Sequence, residues 1–513
     1  MVPVTILHTR DGELDAADQS KLKALADRIA GKDVQVLLHL HGGLVNKGKG
    51  DELANRLSTP GKLSFNAPPD WEQVYVVWRT GVLETISANW IDLASNDRLY
   101  KALLKRLMGY LASKLRLADG SGRSAGSALG LSPAEIDARL RSGSDAPFAD
   151  IDVRLAEGRP AGRGADVQTT SDAIIELEFR TGLQMDAEFT AAVEDLDAAL
   201  NPVRLGRGGT SGKGDEADGR RMLERIDGSV RQELESEVPA ALGRGVFTSA
   251  ALMKKVVEHG VKIALRVIKR FRADRDHGFH ATIVEELARE LYGDLVGASI
   301  WGMMKKDGFD HFEADGLGPK LVEAFSAAKS ARLRVTAHSA GSIWATALLQ
   351  YLAKSQSNLK FEAAFLAPAV RVSDFAAMLK DAESRIDRFR IYAMSDAWER
   401  ADPVIGKGYG FIYPSSLLYI VSGLFEETKH DAAVDAPILG MARFFPNLQA
   451  ASFVTEPAEQ TALKAAVAYL AKIPNSTCYA PVDGGDGLRT QANSHGAFDS
   501  EETTLASVAF FLK

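Results

Sequence analysis

The sequence predicts an α/β protein in which a mostly parallel sheet flanked by helices is interrupted by a large helical insertion. Three observations carry that expectation. Apolar, β-branched runs at 34–40, 74–78 and 333–337 have the length and composition of strands buried on both faces. Two more, at 361–366 and 389–394, alternate with helical stretches at 342–354 and 373–385, and strand–helix–strand alternation builds parallel sheets. Between about residues 83 and 330, helical periodicity runs on without a convincing strand.

Taken in order, residues 1–8 read as an opening strand, 18–29 as an amphipathic helix, and 34–40 and 74–78 as core strands, so that 1–84 forms a first half-core. The insertion occupies 85–325. Its stretches at 118–130 and 205–219 are rich in Gly, Ser, Arg and Asp, lack apolar anchors, and are expected as loops. The helix expected at 249–272 carries Lys254, Lys255, Lys262, Arg266, Lys269, Arg270 and Arg272 between apolar residues. One reading is peripheral contact with anionic lipid headgroups, and the other is a solvated face beside a core stripe. The second half-core, 326–513, adds a helix at 459–470, a strand at 476–480 and a closing helix at 501–511. No repeat at a fixed period is present, which excludes solenoids and propellers.

Composition bounds the function. The 513 residues are 46% hydrophobic and 25% charged, enough to bury a sizeable core. A formal charge of -7, from 61 basic and 68 acidic residues, leaves no footprint for nucleic acid. The single cysteine, Cys478, excludes an internal disulfide and Cys-based metal sites and suits a reducing cytoplasm. Residues 1–8 lack the pattern of a secretory leader, and the apolar stretch at 417–424 is too short to span a bilayer.

The chemistry is expected at a serine. A strict Gly-x-Ser-x-Gly match, Gly122 to Gly126 around Ser124, lies in a Gly/Ser-rich loop and lacks the strand and helix that a nucleophile elbow needs. Ala337-His338-Ser339-Ala340-Gly341 has both: a strand before it and the helix 342–354 behind it. Small residues at 337 and 341 suit a turn that packs strand against helix. A serine nucleophile also needs donors for its oxyanion, each worth about 3 to 4 kcal/mol. The Ala340 N–H is one. The other is expected from His41-Gly42-Gly43-Leu44, directly after the strand 34–40. The same loop nearly fits a phosphate cradle through Lys49, but Gly50 stands where that motif requires a hydroxyl.

The base is expected late in the chain, at His495, in a loop before the closing helix. A carboxylate near the end of strand 389–394 should orient it. Asp396 is favoured because a strand end positions a side chain well, with Asp402 the alternative and Glu399 between them. His338 is expected to pack under the turn, and with His41 and Trp78 it completes the residues bordering a substrate. Trp344 and the apolar stretch 411–421 either line an acyl pocket or belong to the core. No His, Asp and Glu grouping has metal-site spacing, so neither metal nor cofactor is expected.

Together these residues resemble the α/β-hydrolase superfamily in its lipase and esterase-like branches. The match covers 1–84 and 326–513 and consists, in chain order, of His41-Gly42-Gly43, His338-Ser339-Ala340-Gly341, Asp396 and His495. Serine, acid, histidine is the order that fold uses. The resemblance implies hydrolysis of a small-molecule or lipid ester, a thioester or an amide through an acyl-enzyme without a cofactor. It names no substrate. Lipid or acyl esters lead, an amidase or peptidase on the same residues is the alternative, and a silent hydrolase fold serving as a binding module is the rival from another class. Oligomeric state is left open.

Overall fold

Among the residues described by the computed structural model (4–43, 45–78, 83–115, 130–157, 170–200, 215–236, 247–355, 359–426 and 435–513), eight strands form one sheet. They are β1 (Val4–Arg10), β2 (Glu13–Leu14), β3 (Asp33–Leu40), β4 (Glu72–Trp78), β5 (Ser330–His338), β6 (Lys360–Leu366), β7 (Ile386–Met394) and β8 (Thr477–Ala480). Their spatial order is β2-β1-β4-β3-β5-β6-β7-β8, and every neighbouring pair is parallel except the short β1–β2 hairpin. The expected strands lie where the apolar runs placed them, with ends shifted by one to three residues. The β1–β2 hairpin is too short to read from a pattern.

The order of the strands locates a site before any side chain is considered. The chain leaves β3 through the helix Lys47–Ser58 to β4 on one side, and leaves β5 through the helix Gly341–Lys354 to β6 on the other. β3 and β5 are neighbours, in register from Asp33 opposite Ser330 to Leu40 opposite Ala337. Two adjacent parallel strands whose connections depart in opposite directions leave a crevice at their carboxyl ends. His41 to Gly43 and Ser339 lie at that crevice.

The near-match to a phosphate cradle has a structural explanation. Asn46 caps the helix Lys47–Ser58 by accepting the Lys49 N–H, and a Cβ at Gly50 would stand 2.5 Å from Val77 Cγ1. Gly50 lets this helix pack closely on β4.

Helices fill the insertion, from Leu83–Asn96 to Leu317–Ser326. Ser124 and its flanking glycines lie outside the described residues, as do most of the stretches 118–130 and 205–219. The expected loop ends early, because Asp215 accepts the Ala217 and Asp218 N–H groups and starts the helix Glu216–Arg225. The basic helix spans Phe247–Arg272. Its Leu252, Val256, Val257, Ile263, Val267, Ile268 and Phe271 are all buried in the protein's own core. Arg266 pairs with Glu286 and Glu290, and Arg270 with Glu285 and Glu286. The apolar stripe that would enter a lipid interface is therefore already covered. Among the described residues no helix is long and apolar enough to cross a membrane.

A buried ion cluster joins the insertion to the second half-core. Arg270, fully buried, lies 2.6 Å from Glu285 and 2.9 Å from Glu286. Glu285 also receives His277 Nδ1 at 2.8 Å and the Tyr413 hydroxyl at 2.5 Å, while Arg275 Nε reaches Asp435 at 2.5 Å. Burial alone would raise the Glu285 pKa, but His277 and Arg270 outweigh it and hold the carboxylate ionised. Removing the cation takes a fully buried counter-ion from two buried carboxylates. Arg270→Met is accordingly expected to lower the unfolding free energy by about 3–5 kcal/mol in urea titrations; unchanged stability would show that the Arg270 pairs contribute nothing net.

Candidate active site

β5 delivers the chain to Ser339, whose φ of +51° puts a side chain in the left-handed region, and the helix Gly341–Lys354 leads away. That conformation costs about 1–3 kcal/mol and needs support from its surroundings. The Ser339 N–H donates to Leu366 O at the end of β6 (2.8 Å), and Ser339 O accepts from the N–H groups of Ser342 (3.0 Å) and Ala369 (3.1 Å) and from the Ser342 hydroxyl (2.6 Å). Gly341 faces the end of β3 so closely that a Cβ would collide with Leu40 O and lie 2.7 Å from His41 O. A Cβ at Gly42 would stand 3.2 Å from Ser339 Cβ. The two loops expected to act together are thus in contact.

His495 Nε2 lies 2.7 Å from Ser339 Oγ. An imidazole at that distance can take the hydroxyl proton directly. Burial, and then the neighbouring His338, hold the His495 pKa down to about 3, so the ring is a neutral base. Its Nδ1 is buried and has no partner among the described residues.

Of the two expected carboxylates, Asp402 reaches the backbone of His495 and the favoured Asp396 does not. Asp402 Oδ2 accepts the His495 backbone N–H at 2.7 Å. Asp396 instead opens a one-turn helix, where Arg400 Nε reaches it at 3.0 Å and the Tyr419 hydroxyl donates to it. Against burial, Arg400 and Arg443 pull its pKa to about 2. The strand end does position Asp396 firmly, but toward cations that neutralise it. Glu399, also buried, accepts from Ser416, and burial raises its pKa. Among the described residues Asp402 has no cation in contact, and burial raises its pKa to about 6.

The other expected residues divide. Among the described residues neither Gly43 nor Ala340 has a partner for its N–H, as oxyanion donors require; Leu44 lies outside the described residues. His41 Nδ1 donates to Gly42 O (2.5 Å) and its Nε2 accepts the Trp78 N–H (3.2 Å), while the Trp78 indole N–H donates to His41 O (3.2 Å). Burial keeps the His41 ring neutral, at a pKa of about 4. His41 and Trp78 therefore brace the glycine loop from below. Trp344 is core, packed on His311 and Phe312, and so are Tyr413 and Leu418 to Val421.

Two features had no signal in the sequence. Met304, from the insertion helix Ala298–Asp310, occupies the space beside Gly43, and Ser339 is only 2% exposed, so the crevice is closed. His338 Nδ1 lies 3.2 Å from Asp499 Oδ2 and its Nε2 lies 3.0 Å from His495 O. Asp499 follows His495 by four residues, but no spacing rule links it to residue 338. A cleft of about 500 Å³ lined by Arg98, Lys101, Lys105, Arg141 and Phe411 lies among the insertion helices and does not include Ser339. Among the described residues no group of three or more His, Cys, Asp or Glu is placed to hold a metal ion.

The approach of Gly341 to β3 is the tightest of these constraints against backbone atoms. Gly341→Ala is expected to cost about 1–3 kcal/mol through overpacking, read as a lower urea midpoint, and a wild-type midpoint would show that the crevice relaxes freely. No protein-family model, curated protein or solved structure matches the chain.

Proposed function

We propose that the protein is a serine hydrolase of the α/β-hydrolase type that cleaves a carboxylic ester, with Ser339 as nucleophile, His495 as base and Asp402 as the acid. The observation that carries this reading is the 2.7 Å contact between His495 Nε2 and Ser339 Oγ at a serine held with φ +51° between strand and helix. Positive φ also occurs at Ala367 and Leu448; its combination with an imidazole nitrogen on the side-chain hydroxyl is what points to a chemical role. His495 Nε2 takes the Oγ proton as Oγ attacks the carbonyl carbon, and the N–H groups of Ala340 and Gly43 receive the oxyanion. Collapse breaks the bond to the alcohol oxygen, which leaves with the proton from His495; water then repeats the sequence on the acyl-enzyme. As His495 becomes cationic its Nδ1–H needs an acceptor, and Asp402 is already bonded to the backbone of the same residue. Met304 and Ala340 offer apolar contact beside the reacting carbonyl, which favours acyl esters.

The rival reading, a hydrolase fold that only binds, draws on the unpartnered Nδ1 and the burial of Ser339. Fluorophosphonate labelling separates the two. The adduct is expected on Ser339 by mass spectrometry, with labelling at least about 100-fold slower in His495→Ala and absent in Ser339→Ala. A wild-type protein that stays unmodified would favour the binding module.

A second test identifies the acid. Protonated Asp402 cannot stabilise the imidazolium, so the labelling rate should fall as pH is lowered through about 6, whereas His495 itself gains a proton only near 3. Asp402→Asn should slow labelling by about 100-fold or more and abolish that acid limb. Asp396→Asn should retain the limb, and its loss there instead would return the role to Asp396.

A further inference from the structure

We infer that His338 is a positioning residue, held as a doubly protonated imidazolium that fixes the backbone of His495 and sets the alkaline limit of the reaction. The inference rests on the hydrolase reading above for its kinetic half only. Its structural half rests on what the two ring nitrogens face. Nε2 meets a carbonyl, His495 O, at 3.0 Å, and Nδ1 meets a carboxylate oxygen, Asp499 Oδ2, at 3.2 Å. Both partners only accept hydrogen bonds. Nε2 needs its N–H for the carbonyl, and a carboxylate oxygen 3.2 Å from Nδ1 favours a proton, and so a positive charge, on that nitrogen as well. The imidazolium is the form that both neighbours favour.

The surroundings are built to keep that charge. Asp499 is almost fully enclosed and is held in place by Arg56, whose Nη1 donates to Asp499 O (2.8 Å) and whose Nη2 lies 3.5 Å from Oδ1. Burial opposes the charge on His338, but the contact with Asp499 outweighs it and raises the pKa above the ordinary imidazole value. The other titratable groups around His338 are His39 and His41 from the β3 side and His495 from the C-terminal segment. All three are buried and have pKa values pushed below the ordinary one, so they are neutral at the pH where His338 keeps its charge. The His338 and His495 rings stack at 5.4 Å with an interplanar angle of 29°. His338 therefore holds the carbonyl of the residue that carries the base, from directly beside it, without contacting Ser339 Oγ.

The pH sign follows from the raised pKa. Below it His338 keeps both contacts; as pH rises through it, one N–H is lost and either Asp499 or His495 O must be released, freeing the His495 loop. Histidine-selective ¹⁵N spectra of the full chain at pH 5.5, below the ordinary imidazole value, assigned with His338→Gln, should show two protonated ring nitrogens for His338. A ring with one unprotonated nitrogen overturns the inference whatever the activity. In the kinetic arm, the fluorophosphonate labelling rate is followed from neutral to alkaline pH. His338→Gln keeps an N–H donor for His495 O but has nothing to titrate, so its alkaline limb should be lost, and Asp499→Asn should move the limb to lower pH. A limb unchanged in His338→Gln overturns the inference. No labelling of the wild type at any pH, with the ring doubly protonated, overturns the hydrolase reading and the alkaline limit with it, and supports the imidazolium.

Discussion

The adjacency of β3 and β5 is the constraint on which the site depends. Eight residue pairs in register bring Leu40 level with Ala337, so the next residues of each strand, His41 to Gly43 and His338 to Ser339, emerge side by side. Gly341 then allows the following helix to sit against the carbonyls of Leu40 and His41. Neither half of the site has to be located by its own loop. The sheet does it, and backbone hydrogen bonds to β6 and to the segment after it hold the strained serine.

β5 also explains why so much polarity is tolerated underneath. Side chains alternate along a strand, and Arg334, Thr336 and His338 share one face. Arg334 Nε donates to Leu512 O, Thr336 contacts His39 Nδ1 at 2.9 Å, and His338 reaches His495 O and Asp499. Buried polar groups are costly unless paired, and here successive positions on one strand find partners in β3 and in the C-terminal segment. The contacts that seat the closing helix on the sheet are continuous with those that hold the candidate base.

Much of this was legible in the sequence, and what was not has a physical cause. The parallel strands announced themselves through apolar runs such as Val74 to Trp78, because a strand buried on both faces leaves a one-dimensional record. That Ser339, His495 and the glycine loop come together was legible because the expected chemistry demands a fixed chain order and flanking elements. Choosing Asp396 over Asp402 was a different problem. Both lie beyond the same strand, and what separates them is Arg400 and Tyr419, which hold Asp396 through a one-turn helix and a contact 23 residues away. His41 and Trp78 were placed at the substrate by proximity, whereas their hydrogen bonds to each other turn them inward. The basic helix left two readings open, a lipid-facing one and a solvated face beside a core stripe, because sequence shows cations without their counter-ions. Glu285, Glu286 and Glu290 sit on another helix.

The ion cluster at Arg270 bears on whether the insertion can be taken away. Its charges alternate across the boundary: Arg270, Arg275, His277 and Glu285 belong to the insertion, while Tyr413, Asp435 and Glu459 belong to the second half-core. A chain trimmed to the sheet and its nearest helices would leave Asp435 without Arg275, a buried carboxylate with one of its principal counter-ions gone. Trimming the insertion is therefore not neutral for the second half-core, because it removes the cation that pairs with buried Asp435 and with Glu459.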